Sequence, residues 1–91
     1  MQSSVELELG FLRDLVFLLK EEAAAAKAAS ATGDEYARGR HFAYFEVLDL
    51  VLSQALAFEI DLKKIGLEGF DPYQDILGVE IRPSAKPASE K

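Results

Sequence analysis

The chain has 91 residues, no cysteine and a formal net charge of −6. That length allows a single domain, and the absent thiols exclude disulfide staples, thiolate zinc sites and cysteine nucleophiles. The acidic balance disfavours nucleic acid and anionic membranes as partners, because both are bound by neutralising phosphates with Lys and Arg.

Ser3 followed by Glu6 fits a capping box, in which the hydroxyl takes an orphan amide and the carboxylate reaches back. Apolar residues then recur at Val5, Leu9, Leu12, Val16, Leu19, Ala23 and Ala26. Their alternating spacing of four and three predicts a helix over about residues 4–30 with a heptad seam. Phe11, Leu15 and Leu18 widen that seam into a broad apolar face. The alanines at 23–26 continue the helix with the best helix former and almost no bulk. Leu15 to Leu19 is the most lipid-like stretch, yet charges bound it on both sides and it is too short to span a bilayer. With no basic leader before it, a cytoplasmic location is expected.

Thr32-Gly33-Asp34 breaks the pattern. Gly33 suits a helix terminus or a left-handed turn, and either Thr32 with Glu35, or Asp34 alone, can cap the next helix. So short a connection makes the neighbouring helices antiparallel. The second helix is predicted over about residues 35–60, with its own seam at Tyr44, Leu48, Val51, Ala55 and Phe58, reaching Leu62. A hairpin closed at 32–33 sets the alanines of 23–29 against Tyr36, Phe42, Tyr44 and Phe45, small opposite large.

After the second helix the pieces shorten. Asp61 can cap a turn through Leu62–Ile65 that Gly66 ends. Asp71-Pro72 is a start signal for a short helix at 72–77, closing at Gly78. This segment is expected to fold back over the open end of the hairpin. Residues 79–91 are polar and broken by Pro83 and Pro87, and read as a disordered tail beyond a single helical domain at 1–78. The fold class is all-α: a long antiparallel helix hairpin with short C-terminal helical segments.

The second helix is apolar on nearly every side, and its only clear polar strip is Glu46, Asp49 and Ser53. Such a helix belongs in a core, yet the first helix covers one side of it. The expectation is a C2 homodimer, two hairpins forming a four-helix bundle. Interface candidates are Phe17, Val47, Leu50, Val51, Gln54, Ala57 and Phe58. The alternative is a compact monomer in which residues 62–78 wrap the second helix. Glu8 and Gln54 are polar positions near apolar seams, of the kind that fix register. Gly10 and Gly39, inside helices, point to close backbone approach or local bends.

Arg38, Arg40 and His41 form the one concentrated cationic cluster of the hairpin. As a site, His41 would be a general base and the arginines a phosphate clamp. As structure, Arg40 would pair with Glu21 or Glu22 across the hairpin, with His41 at a helix flank. The structural alternative weighs more, and no catalytic residue is assigned. A di-iron site needs Glu-x-x-His pairs, but Arg38 stands three residues before the lone histidine. Glu46 and Asp49 share a face as solvated acids do, so neither metal nor cofactor is expected.

Gly39-Arg40-His41-Phe42-Ala43-Tyr44-Phe45-Glu46-Val47-Leu48, followed by Gly66-Leu67 and Phe70-Asp71-Pro72, resembles a set of short bacterial helix-hairpin proteins of unknown function. The resemblance covers roughly residues 35–78. It implies a bacterial, cytoplasmic, acidic helix hairpin and transfers no catalytic residue. The functional expectation is a non-enzymatic interaction module, self-associating and open to another protein partner. The rivals are an acidic inhibitor or antitoxin-like protein that blocks a basic partner, and a small hydrolase or nuclease using Arg38, Arg40 and His41.

Overall fold

A computed structural model describes residues 4–78. Two long helices, α1 (Ser4–Ser30) and α2 (Glu35–Ala57), pack side by side as an antiparallel hairpin, and no strand occurs among the described residues. A 3₁₀ turn (Leu62–Ile65) and a π-helical turn (Tyr73–Leu77) follow. Ser3 and the tail at 79–91 lie outside the described residues.

The hairpin turn is built for close approach. Gly33 does not use a left-handed backbone; instead, a Cβ there would lie 2.5 Å from the Ala37 Cβ and 2.7 Å from the Ala29 carbonyl oxygen. Asp34, not Thr32, caps α2: its Oδ1 accepts from the Ala37 amide at 3.1 Å. Of the seam on α1, Val16, Ala23 and Ala26 are buried and Leu9, Leu12 and Leu19 half-buried, whereas Val5 is exposed. On α2 the seam holds through Ala55, with Leu48 fully buried.

α2 ends at Ala57, three residues before the expected position. The Ile60 amide bonds the Ala55 carbonyl and the Glu59 amide the Leu56 carbonyl, the paired bonds of a Schellman motif. Glu59 occupies the left-handed position that glycine usually takes, at φ 58°. Ile60 turns in to pack against the cluster containing Ala55. Phe58, counted as a seam residue from its spacing, is therefore exposed, because the helical register no longer applies there.

Asp61 caps the 3₁₀ turn through the Lys63 amide, and Gly66 closes it at φ 79°. Asp71 accepts from the Tyr73 amide, and the Asp75 carboxylate accepts in return from the Asp71 amide. Ile65 and Leu67 complete one core cluster with Val16 and Ala55. Ile76 completes a second with Ala23, Phe45 and Leu48. The C-terminal segment therefore does more than cover the open end. It runs back along one flank of the hairpin toward the closed turn, where the Tyr73 and Phe45 rings meet edge to face at 4.9 Å.

The small-against-large expectation holds in part. Phe45 packs on Ala23 and Tyr44 is half-buried beside the same cluster. Phe42 leans on Phe45 from the outside at 5.5 Å, and Tyr36 projects into solvent. A Cβ on Gly10 or Gly39 would meet nothing within 4 Å, so close approach explains neither glycine.

Candidate functional site

Two surfaces qualify: the cationic cluster and the apolar skin of the hairpin. Arg38, Arg40 and His41 leave α2 in three directions and do not converge. Arg38 donates from Nη1 to the Gly33 carbonyl at 3.1 Å, which ties the turn to its own helix. Arg40 reaches Glu22 across the hairpin at 3.2 Å, with its guanidinium 5.2 Å from the Tyr44 ring centroid. His41 points inward, half-buried, and joins three elements. Nε2 lies 2.6 Å from the Ile76 carbonyl and Nδ1 3.1 Å from the Ser30 hydroxyl.

A carbonyl only accepts, so Nε2 carries a proton. The Ser30 hydroxyl also reaches the Lys27 carbonyl at 2.8 Å, so its single proton serves either that carbonyl or the ring. Both nitrogens are thus engaged within the fold. The imidazole acts as a strut between α1, α2 and the π-helical turn, a role its spacing did not suggest. The sequence sets His41 at a helix flank, and the structure turns it inward.

Lysines on α1 face the C-terminal segment. Lys20 donates to the Gly66 carbonyl at 3.1 Å with its ammonium 4.9 Å from the Phe70 ring centroid, and Lys27 donates to the Asp75 carbonyl at 3.3 Å. Carbonyls of short turns that lack a continuing helix are satisfied this way. The groove these lysines border, about 700 Å³ between α1 and the π-helical turn, is open. No group of three His, Asp or Glu that could hold a metal ion occurs among the described residues. No helix among them is long and apolar enough to cross a membrane.

The other surface is larger. Phe11 is 65% exposed, Phe17 56%, Leu50 61% and Phe58 73%, and Val47 and Leu18 are also exposed. Of the interface candidates, only Val51 is half-buried; Gln54 and Ala57 are exposed. Near the open end the apolar skin dips into a groove of about 320 Å³ lined by Leu12, Val51, Gln54, Ala55, Phe58 and Ile65. Phe11, Leu15 and Leu18 of α1 are exposed as well, although their spacing marked them as helix face rather than as site, and so is Leu7.

No protein-family model matches the chain, and neither a curated protein nor a solved structure is similar enough to carry an inference.

Proposed function

We propose that the protein is a non-enzymatic helical interaction module that self-associates through the apolar surface its two long helices leave exposed. The observation that carries this reading is that, among the described residues, the C-terminal segment covers one flank of the hairpin only. Phe11, Leu15, Phe17 and Leu18 of α1, and Val47, Leu50, Leu56 and Phe58 at and beyond the middle of α2, remain exposed. The largest apolar patch on an ordinary monomer is roughly 300–600 Å², and larger ones mark association surfaces. The cluster that a catalytic reading would need is spent on fold-internal bonds. Sedimentation equilibrium on the full chain at micromolar concentration tests the proposal. The expected mass is twice that of the chain; a well-folded monomer at every concentration overturns it.

A second reading, an acidic inhibitor that blocks a basic partner, is favoured by where the charges sit. Lys20 and Lys27 are drawn onto carbonyls of the C-terminal segment, while Asp14, Glu21 and Glu46 stay exposed. Its expected signature is a heterocomplex with a basic protein that dissociates as salt is raised.

A further inference from the structure

The hairpin has two broad flanks, and its own contacts sort them. On α1, Lys20 and Lys27 meet the C-terminal segment, and on α2, His41 and Phe45 do. With 3.6 residues per turn, Phe11 and Leu18 lie roughly opposite Lys20 and Lys27 on α1, and Val47 and Gln54 roughly opposite Phe45 on α2. These two stripes share one side of the molecule. Glu22 continues the α1 stripe one turn beyond Leu18, and Arg40 begins the α2 stripe two turns before Val47. The two charged groups touch at 3.2 Å, which sets the stripes side by side.

Each stripe has heptad spacing: Phe11, Leu15, Leu18, Glu22 and Ala25 on α1, and Arg40, Ala43, Val47, Leu50, Gln54 and Ala57 on α2. A repeat of four and three is the pattern that docks another helix. We propose that this flank is the docking surface for a second copy of the chain, with Gln54 at the symmetric centre of the contact, so that two hairpins pack flank to flank about their open ends. The proposal rests on the self-association reading above and adds which face carries it.

Area, spacing and polar chemistry favour a second copy as the occupant. Aromatic side chains carry on the order of 150–250 Å² each. At the exposures observed, Phe11, Leu15, Leu18, Val47 and Leu50 of the stripes, with Phe58 beside Gln54 in the groove at the open end, together offer roughly 600 Å², the larger part of the roughly 800 Å² that each partner contributes to a standard interface. The polar groups within the stripes ask for no foreign counter-charge. Glu22 and Arg40 neutralise each other within the chain. Gln54 carries both donors and an acceptor, so its amide can pair with its own symmetry mate. Phe17 lies about a quarter-turn or more from the α1 stripe and falls outside this face, although it counts among the interface candidates. Asp14, Glu21 and Glu46 line the rims and remain solvated.

The chain has no cysteine, so single-cysteine variants report position cleanly. Gln54→Cys and Phe17→Cys are each oxidised in the otherwise native full-length protein and read on non-reducing gels. Gln54→Cys is expected to form a covalent dimer in high yield and Phe17→Cys to stay monomeric, because a disulfide requires Cα atoms within about 7 Å. The reverse result overturns the assigned face while leaving self-association standing. A wild-type monomer in sedimentation overturns both. A second measurement does not depend on any variant. Two copies with acidic rims repel, so the wild-type dimer is expected to tighten as the Debye length shrinks from about 30 Å to about 3 Å between 0.01 and 1 M salt. Weakening over that range would mean that opposite charges rather than these apolar stripes hold the two copies together, and overturns the assigned face.

Discussion

The two flanks of the hairpin start from the same kind of sequence and end differently. Both helices are apolar on more than one side, and the heptad seam that joins them is repeated, one stripe over, on the bare flank. On the covered flank, Ile65, Leu67 and Ile76 of the C-terminal segment close two core clusters, and three side chains, Lys20, Lys27 and His41, tie that segment down through its carbonyls. On the bare flank nothing of the described chain does this. The difference teaches that a run of short turns over residues 62–78 serves as a third packing layer when the turns are capped and side chains of the hairpin hold carbonyls at Gly66, Asp75 and Ile76. It also shows why the same residues cannot cover both sides: Asp61 and Gly66 fix the path toward one flank.

The comparison is most sharply broken by truncation of a buried leucine. Leu67→Ala is expected to cost about 2–5 kcal/mol, since Leu67 is fully buried in the cluster with Val16, Ala55 and Ile65. Leu50→Ala on the bare flank is expected to change the stability of the isolated monomer by no more than about 0.5 kcal/mol. Urea unfolding at concentrations where the chain is dissociated measures both, and equal losses would mean that the flanks are not distinct. Next in size is His41→Ala. It leaves the Ile76 carbonyl and the Ser30 hydroxyl without the ring, for an expected loss of about 1–3 kcal/mol. Hydrogen exchange should localise the effect: amides of the π-helical turn exchange faster, while those of α1 near Phe11 do not.

Smaller again is Lys20→Met, which keeps the aliphatic stem but removes the bond to Gly66 and the cation over Phe70. About 0.5–1 kcal/mol is expected from such an exposed contact. The least effect should come from Glu22→Gln. Its bridge to Arg40 is exposed at both ends, and such pairs contribute about 0–1 kcal/mol, less in salt. A thermal melt at low and high salt resolves it, and a salt-independent loss would show that Glu22 supports the fold by something other than charge.

Most of the framework was legible without coordinates. Periodicity located α1 and most of α2, Asp61 announced its cap, Gly66 and Gly78 their stops, while Asp34 was one of two caps on offer and Glu22 one of two partners for Arg40. Three features were not. The end of α2 was hidden because Glu59, not glycine, takes the left-handed position, and charge gives no warning of that. Gly33 fits a helix terminus or a left-handed turn on sequence grounds, and its closeness to Ala29 and Ala37, which leaves no room for a Cβ, was not foreseen. The inward strut of His41 could not be inferred at all, since its acceptor lies 35 residues away in a turn whose docking site no local pattern encodes.

By itself, then, the sequence determined which segments are helical, that the turn after the second helix is capped at Asp61, that the long helices form a hairpin, and that the second helix carries more apolar surface than one neighbour can bury. These follow from local rules: spacing of apolar side chains, helix propensity and the chemistry of capping groups. Only the tertiary structure decided which flank the C-terminal segment occupies, and therefore which stripe of Phe11, Leu18, Val47 and Leu50 is left to solvent. Two flanks with nearly the same apolar pattern are equivalent to any local rule. The choice between them is made by a handful of long-range donors and by the exit direction of the chain at Glu59 and Ile60.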